Sequence, residues 1–400
     1  MPLNSRWVLA SSLILFGSAL GQTGASTNSE PGVAFRTLYN FTGGSDGCCI
    51  YGGLAGDQAG NLYGVAYSGN SNTGYGDLFK LTRGTRGYSF QVLQLLVVAG
   101  GGCLTTPILD RAGNVFGVCD GAGGGYGTLW EYSHHGRFSI LHTFNGLTDG
   151  SEPQDSVVLD TAGNIYGTAY SDGPGGGGTF WEYSPSSGGF TVLHGFANGD
   201  DGGRLSAGPA IDGNGKIWGT TESGPNCYFC GSGTVWNYDP VSGTFTTVLD
   251  FASTIIVEPM SRLAIDDAGN LFGTAFTAVR NNCGLVYELP VSANYAPEVL
   301  YQFTSIHGDG CESFGRVQLD GQGNLFGATY YGGYYGDGTV YELSPGKSGW
   351  QETILYTFNL NNGNGPQAGL ITDGAGNWFG TTSTGGSATW GTVFEISGVK

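Results

Sequence analysis

Positively charged residues are scarce in this chain. Its 400 residues include 14 Lys and Arg against 32 Asp and Glu, which gives a formal net charge of −18. A surface dominated by one sign of charge repels polymers of the same sign. The composition therefore argues against nucleic acid, anionic lipid and other polyanions as partners.

The sequence also lacks the motifs that carry common catalytic chemistry. It contains no His-Glu-x-x-His motif, no Asp-x-Asp-x-Asp-Gly loop and no glycine-rich phosphate loop before a helix. Sustained helical periodicity is absent outside the N-terminus. We accordingly predict no cofactor, no bound metal and no catalytic residue.

Glycine, in contrast, is abundant with 76 residues, and much of it belongs to a pattern that recurs seven times. Each copy reads Asp, a few small residues with Gly, an aromatic residue and Gly. The copies span residues 57–64, 110–117, 160–167, 212–219, 266–273, 320–327 and 373–380, so they begin 50 to 54 residues apart. This period indicates a solenoid or a propeller, because one unit cannot bury its own apolar face.

Each complete repeat contains four segments rich in β-branched and aromatic residues, bounded by Gly, Pro, Asp or Asn, as is typical of strands. Four antiparallel strands in each of seven repeats predict an all-β, seven-bladed β-propeller. The last repeat stops after its third strand at 391–396. We therefore predict that the strand at 37–41 completes the last blade and closes the ring, which removes an open sheet edge. Residues 26–400 are predicted to form one domain.

The N-terminus has the pattern of a secretory signal peptide. Arg6 precedes an apolar run at 7–20, and small residues follow as far as Ala25. The run is too short to span a membrane, so we predict cleavage near residues 21–25 and a signal peptide at 1–25. The C-terminus shows no hydrophobic tail. We expect a secreted monomer, extracellular or periplasmic, without a membrane partner once the signal is cleaved.

Eight cysteines fit an oxidising compartment. In the predicted blades, the connections between blades and the loops between second and third strands open on one face, here called the loop face, and all eight cysteines map to it. We predict the pairs Cys103–Cys119, Cys283–Cys311, Cys227–Cys230 and Cys48–Cys49. Half a zinc site or a redox pair is the alternative for Cys227 and Cys230; a local disulfide is favoured because no second pair and no histidine accompany them.

Residues that recur in every blade are predicted to serve the blade. The Asp that opens each copy is expected to accept backbone N–H groups in a turn. His142 and His194 occupy the strand position held elsewhere by Tyr39, Tyr301 and Tyr356, so they are expected to pack. His307 is the one histidine without counterparts that maps to the loop face. A lone histidine beside Asp309 and Glu312 is a weak indication of acid–base chemistry.

The combination of Leu-(Tyr/His)-x-Phe, Asp-x-x-Gly-Asn-Leu-Tyr-Gly-Thr and Gly-Thr-Val-(Phe/Tyr)-Glu-Leu resembles the GloVer tandem repeat of exported bacterial proteins called choice-of-anchor proteins. The resemblance covers residues 35–396. It implies residence at the cell surface or outside the cell, and it supplies no catalytic residues because no biochemical activity is established for the family. The chain departs from the family pattern because its C-terminal residues show no anchor motif, so we do not expect attachment to the cell surface.

The leading functional interpretation is a secreted, non-catalytic binding or scaffold propeller that presents its loop face to a glycan or a protein. The alternative is an extracellular hydrolase or lyase that acts on carbohydrate or lactone substrates at the channel mouth, an interpretation based on fold analogy alone. Aromatic rings beside amides and carboxylates suit sugar rings. The predicted ligand-binding residues are the polar and aromatic loop residues that differ between repeats: Tyr126, Asp172, Asn226, Tyr228, Phe229, Asn281, His307, Asp309, Glu312, Tyr334, Tyr335 and Trp390.

Overall fold

The computed structural model describes residues 29–67, 76–99, 102–121, 125–224, 232–278 and 283–399. In these ranges the chain forms seven four-stranded antiparallel sheets, the blades of a seven-bladed β-propeller. The ranges contain no α-helix and three short 3-10 segments at Leu96–Ala99, Phe251–Ser253 and Val291–Ala293. The predicted fold class is confirmed. The predicted signal peptide at 1–25 lies outside the described residues.

Within each blade the strands follow one another from the central channel outward, and only the last blade takes a strand from elsewhere in the chain. Blade 1 consists of Ala55–Gly56, Leu62–Ala66, Asp77–Gly84 and Gly87–Leu95. Blade 2 consists of Ile108–Leu109, Val115–Cys119, Thr128–Tyr132 and Phe138–Thr143. Blade 3 consists of Val158–Leu159, Ile165–Ala169, Thr179–Ser184 and Gly189–Gly195. Blade 4 consists of Ala210–Ile211, Ile217–Thr220, Thr234–Asp239 and Thr244–Asp250. Blade 5 consists of Ala264–Ile265, Leu271–Ala275, Leu285–Leu289 and Glu298–Gln302. Blade 6 consists of Gln318–Leu319, Leu325–Thr329, Thr339–Gly346 and Gly349–Thr357. Blade 7 consists of Ile371–Thr372, Trp378–Thr382, Thr392–Ser397 and the N-terminal strand Ala34–Asn40.

The N-terminal strand closes the ring as predicted. Ala34–Asn40 pairs antiparallel with Thr392–Ser397, with Ala34 opposite Ser397 and Asn40 opposite Thr392. The Phe35 ring stacks on Tyr356 of blade 6 with centroids 3.9 Å apart. The first and last segments of the fold are therefore held by both backbone pairing and core packing.

The glycine in the middle of each second strand has a packing role. A Cβ built on Gly167 would lie 2.2 Å from the Trp181 ring, and one on Gly327 would lie 2.3 Å from the Tyr341 hydroxyl. The third-strand aromatic side chain thus lies across a strand that has no side chain at that point. Trp181 and Tyr341 are fully buried, so the aromatic-Gly pair of the repeat builds the core between blades.

The aspartate that opens each copy organises the turn between the inner and second strands. Asp160 Oδ1 accepts hydrogen bonds from the backbone N–H groups of Ala162 (2.8 Å) and Asn164 (2.9 Å), and Oδ2 accepts one from the Asn164 amide (2.9 Å). Asp212 keeps the backbone bonds and accepts from Trp218 Nε1 at 3.0 Å instead of an amide. The turn role predicted for these residues is confirmed.

His142 and His194 pack as predicted. Their imidazoles stack on Phe190 and Phe245 of the next blade, each with ring centroids 3.6 Å apart. Each also has a carboxylate partner, since His142 Nε2 lies 2.9 Å from Asp149 Oδ2 and His194 Nε2 lies 3.0 Å from Asp201 Oδ2. These contacts fix the outer strands to the connections that follow them.

Two of the predicted disulfides are present. Cys103–Cys119 joins the connection between blades 1 and 2 to the end of the second strand of blade 2. Cys283–Cys311 joins the loop after the second strand of blade 5 to the connection between blades 5 and 6. These four cysteines therefore share one face. Cys227 and Cys230 lie outside the described residues.

The predicted Cys48–Cys49 bridge is not formed in the structure. The two residues remain thiols with sulfur atoms 2.8 Å apart. Neighbouring Cα atoms are about 3.8 Å apart, closer than the separation that disulfides usually span. Burial and the Cys48 thiol raise the pKa of Cys49 to about 12, which keeps Cys49 protonated at neutral pH.

Candidate functional site

The inner strands surround a central channel that contains a cavity of about 330 Å³. Every blade contributes to its wall; one lining residue from each is, in blade order, Tyr51, Thr106, Asp155, Ser206, Arg262, Arg316 and Gln367. Because the inner strands are only two residues long, most of the wall comes from the residues just before them. We number these positions from the aspartate that opens each repeat.

Position −4 differs sharply among the blades. Five blades carry a small residue there: Gly53, Thr106, Ser156, Gly208 and Gly369. The adjacent blades 5 and 6 carry Arg262 and Arg316, called here the arginine pair, and both line the cavity. The small residues leave room in the channel that the two long side chains occupy.

The arginine pair is poorly neutralised by the protein. Arg262 Nη1 reaches across to donate a hydrogen bond to Ser156 Oγ of blade 3 at 3.0 Å, while its Nε is buried without a hydrogen-bond partner. Arg316 donates to the side-chain carbonyl of Gln318. Burial, followed by the like charge of Arg316, lowers the pKa of Arg262 to about 9, and burial also lowers the pKa of Arg316.

Among the cavity-lining residues that the structure describes, Asp155 is the one carboxylate. Its Oδ2 accepts a hydrogen bond from the backbone N–H of Gly208 at 2.8 Å, which ties blade 3 to blade 4. Its charge opposes the lowering of the pKa of both arginines. No ion pair within 4.0 Å links it to either arginine in the described part of the chain.

Five aromatic rings, called here the aromatic arc, lie where the channel opens on the loop face: Tyr51, Tyr67, Phe276, Phe314 and Tyr330. Tyr51 and Phe314, at position −6, line the cavity. Phe314 stacks on Phe276 with centroids 5.0 Å apart and meets Tyr330 edge-on at 5.7 Å. Tyr51 meets Tyr67 edge-on at 5.2 Å. The rings come from blades 5, 6 and 1, on the side of the channel from which the arginine pair extends, and blade 7 between them contributes none.

A left-handed residue marks position −8 in most blades. Cys49, Glu152, Arg204, Glu258 and Glu312 have φ angles of 55° to 62°, a conformation that non-glycine residues seldom adopt. The carbonyl of each accepts a backbone N–H from just after the second strand, as from Tyr330 to Glu312 at 2.8 Å; in blade 4 the donor is Glu222, two residues after the strand. This bond joins the connection between blades to the second strand beside the channel mouth.

The side of the mouth opposite the aromatic arc carries a charged cluster. The Arg204 side chain donates to the Tyr170 hydroxyl, and its Nε lies 3.5 Å from Glu222 Oε2. Tyr170 in turn donates to Glu222 at 3.3 Å. Burial raises the pKa of the Glu222 carboxyl, although its bonds to Ser206 and Tyr170 and the charge of Arg204 act in the opposite direction.

The predicted ligand-binding residues occupy several separate places. Glu312 lies at position −8 beside the channel mouth. Tyr126 and Trp390 lie further out, where their rings cover Gly146 and Gly43. Tyr334 and Tyr335 are exposed in the loop between the second and third strands of blade 6, with ring centroids 5.0 Å apart.

The remaining predicted residues include three that the structure describes. Asp172 accepts a hydrogen bond from Ser151 Oγ at 2.6 Å, and His307 is exposed. Asp309 is buried and accepts from the N–H and hydroxyl of Thr304, both at 2.6 Å. The last four lie outside the described residues: Asn226, Tyr228, Phe229 and Asn281.

The described residues contain no group of three or more His, Cys, Asp or Glu side chains arranged to hold a metal ion. In the same ranges, no helix has the length and apolar character needed to cross a membrane.

A sequence profile described as the Gloeobacter/Verrucomicrobia repeat matches residues 17–173, 103–318 and 155–394. The chain belongs to this repeat family. The resemblance seen in the sequence is thereby confirmed for nearly the full length of the chain. No curated protein matches it.

Several solved structures resemble this repeat protein at low identity. PorZ, a surface component of the type-IX secretion system of Porphyromonas gingivalis, is 13% identical with a TM-score of 0.57; the match covers 90% of this chain and 48% of PorZ, so the chain spans about half of PorZ. A gluconolactonase from Xanthomonas campestris is 12% identical over 92% of this chain and 91% of its own, with a TM-score of 0.44. A putative gluconolactonase is 15% identical over 68% and 80%, with a TM-score of 0.39. The likeness to PorZ supports the fold alone.

Sequence reasoning missed the arginine pair and the aromatic arc of the repeat protein. Both lie at repeat positions just before the inner strand or just after the second strand, whereas the prediction concentrated on long variable loops. The sequence nevertheless contains a signal for the pair. At position −4 two repeats carry Arg262 and Arg316, whereas the other five carry small residues. Aligning the seven repeats on the opening aspartate would have revealed it.

Proposed function

We propose that this protein is a secreted, non-catalytic binding propeller that takes a carbohydrate at the loop-face mouth of its channel. The observation that carries the proposal is the aromatic arc, because two of its rings, Tyr51 and Phe314, line the cavity and the other three pack against them. A sugar ring offers an apolar face to such rings and a rim of hydroxyl groups to polar neighbours.

The wall of the cavity supplies those polar neighbours. Ser206, Asp155 and Gln367 line it opposite or beside the aromatic rings. Hydroxyl, carboxylate and amide groups donate to and accept from sugar hydroxyls. Since the wall is built on short strands tied between blades, the site is largely formed before a ligand arrives, which reduces the entropy cost of binding.

Export is part of the proposal. The disulfides Cys103–Cys119 and Cys283–Cys311 are of the kind that persists in extracellular and periplasmic proteins. Together with the predicted signal peptide at 1–25, they support residence outside the cytoplasm, where glycans of cell envelopes and secreted polymers are accessible.

The alternative, a hydrolase or lyase for carbohydrates or lactones, has one observation in its favour. Glu222 lies beside the mouth with a raised pKa, as a general acid requires. Its contacts with Arg204 and Tyr170 also give it a structural role. Release of reducing ends or opening of a lactone by the wild-type chain, abolished in Glu222→Gln, would favour the enzyme over the binding protein.

The test of binding is a glycan array probed with the purified mature chain, followed by titration calorimetry on the glycans retained. Phe314→Met and Tyr330→Ser remove aromatic faces but use residues that other blades carry at the same positions, Met260 and Ser383. We expect both variants to bind several-fold more weakly with unchanged melting temperatures. His135→Ala, on the exposed turn between the outer two strands of blade 2, is the control and should bind like the wild type. Failure of the wild-type chain to retain any glycan would refute the proposal.

A further inference from the structure

The arginine pair places positive charge in the interior of an acidic protein. The molecule carries a net charge of −18, yet two of its 14 Lys and Arg residues meet in the channel. Burying a cation costs free energy unless it is paired with an anion and fully hydrogen-bonded. The same position is small in the other five blades, so the blade architecture does not require an arginine there.

The protein itself uses few of the donors of the pair. A guanidinium group has five N–H donors. In the described part of the chain, Arg262 donates to Ser156 and has a buried Nε without a partner, and Arg316 donates to Gln318. The nearby Asp155 carboxylate is held by the backbone of Gly208. The protein thus leaves donors of both guanidinium groups unused beside the cavity, and Asp155, the carboxylate that lines it, forms no ion pair within 4.0 Å with either arginine in the described ranges.

We propose that the carbohydrate ligand carries a carboxylate, as a terminal hexuronate residue does, and that Arg262 and Arg316 bind this group together. The inference rests on the proposed function, since it names the class of sugar for the same site. The planar fork of a guanidinium matches the two oxygens of a carboxylate. With the carboxylate on the arginine pair, the sugar ring lies against the aromatic arc on the same side of the channel.

The size of the cavity and the charge of the protein favour a ligand whose acidic sugar is the terminal residue of an oligosaccharide. A volume of about 330 Å³ is near the lower end for ligand pockets and accommodates one sugar ring. The acidic surface repels a long polyanion. A single acidic residue at the end of an otherwise neutral oligosaccharide satisfies both conditions.

Titration calorimetry on matched disaccharides tests this. The acidic probes are disaccharides that end in D-glucuronate or D-galacturonate, and the neutral probes end in D-glucose or D-galactose. We expect the wild-type chain to prefer the acidic probe of each pair. Arg316→Ser and Arg262→Ser, which introduce the residue that blade 3 carries at Ser156, should lose at least about tenfold in affinity for the acidic probes, as expected when a hydrogen bond between charged groups is removed. Neutral probes should bind these variants as they bind the wild type.

Two controls separate recognition from general charge or structure. Arg137→Ser makes the same charge change at an exposed turn and should leave both affinities unchanged. Arg316→Ser keeps the Arg262–Ser156 hydrogen bond and should melt at or above the wild-type temperature, because it removes a buried charge. If Arg262→Ser does not fold, Arg316→Ser alone decides the test.

Equal affinity of the wild-type chain for acidic and neutral probes would overturn the inference and leave glycan binding intact. An Arg316→Ser variant that binds the acidic probes as tightly as the wild type would also overturn the inference and leave glycan binding intact. Absence of binding to any probe or array glycan would instead refute the proposed function and the inference with it.

Discussion

Glu352 occupies an outer-strand position that holds a phenylalanine in other blades. Phe190, its counterpart in blade 3, stacks on His142 of the preceding blade with centroids 3.6 Å apart. Glu352 instead accepts a hydrogen bond from Tyr301 at 2.9 Å through Oε2, and its Oε1 is buried without a partner. Burial, and next the nearby Asp309 carboxylate, raise the pKa of Glu352 to about 8.

This raised pKa predicts a pH-dependent loss of stability. The folded state binds the Glu352 proton more tightly than the unfolded state, so this contribution is fully present below the ordinary glutamate pKa and is lost as pH rises through about 8. We expect urea midpoints of Glu352→Gln to fall less than those of the wild type between about pH 5 and pH 9. Glu298→Gln, at an exposed position of blade 5, is the control. Parallel pH profiles for wild type and Glu352→Gln would contradict the assignment.

Asp77 is a second departure from the repeat. It begins the third strand of blade 1, where blade 3 has Thr179, whose hydroxyl donates to the backbone carbonyl of Asp149 at 2.7 Å. Asp77 is fully buried and neither carboxylate oxygen has a hydrogen-bond partner in the described ranges. Burial, and next the charge of Asp46, raise its pKa to about 6.

Asp77→Thr should therefore stabilise the protein at neutral pH. Removing a buried, unsatisfied polar group contributes about 1–3 kcal/mol, and threonine restores the donor that blade 3 uses. Thr179→Asp, the reverse change in blade 3, should destabilise by a comparable amount. Chemical unfolding at pH 7.5 measures both. A destabilised Asp77→Thr would indicate that the carboxylate has a partner of its own, such as a cation.

At the scale of elements, the disulfides tie connections between blades to second strands. Cys103–Cys119 and Cys283–Cys311 span 16 and 28 residues of sequence. A cross-link over loops of this length stabilises by about 2–4 kcal/mol. Replacing either pair with serines should lower the melting temperature, whereas the Cys48→Ser and Cys49→Ser pair should change it less. Peptide mapping without reduction should recover both bridges with Cys48 and Cys49 alkylated; alkylation of Cys103 or Cys283 would contradict the pairing.

The elements themselves were predictable because each is specified locally and seven times. The turn at Asp160 needs only the aspartate, the glycine and the asparagine within a few residues, and the strand Ile165–Ala169 needs its own aromatic and β-branched residues. The closing strand at Ala34–Asn40 was predictable for a related reason: the last repeat lacks one strand, and a matching strand is left over at the other end.

The candidate site was less predictable because it arises from convergence. Arg262 and Ser156 are 106 residues apart in sequence and meet only because the ring closes. Glu312 was found because it is a polar residue in a variable connection. Phe314, two residues further along, was missed because a single phenylalanine before a strand resembles a core residue, and only the position of its blade beside the channel gives it another role.

At the scale of the whole molecule, charge is distributed unevenly. The chain as a whole has 32 acidic against 14 basic residues, and the absence of polyanionic partners stays a prediction from that excess. The channel is a local exception, since the arginine pair outnumbers its one lining carboxylate. The negative net charge of the protein therefore disfavours ligands with many acidic groups, but it does not exclude a ligand with one acidic group that reaches the channel.

Ring closure is the property on which the whole molecule depends. The strand Ala34–Asn40 supplies the outer edge of blade 7, and Phe35 packs against Tyr356 and Phe394 with centroids 3.9 and 5.8 Å away. Deleting residues 26–42 should expose the backbone of Thr392–Ser397 as an open edge and uncover the core between blades 6 and 7. Because an exposed edge recruits strands from other molecules, we expect the truncated chain to aggregate or to melt at a lower temperature.

A synthetic peptide of residues 26–42 provides the control for this deletion, because an extended peptide can complete a sheet by adding a strand to its edge. Added in excess, it should restore a monomer in sedimentation and raise the melting temperature. The same peptide with Thr37 replaced by proline should restore neither, since Thr37 lies opposite Phe394 in the middle of the pairing and proline cannot donate a backbone hydrogen bond. A truncated chain that stays monomeric, melts like the wild type and ignores the peptide would show that the ring is held by the blades alone.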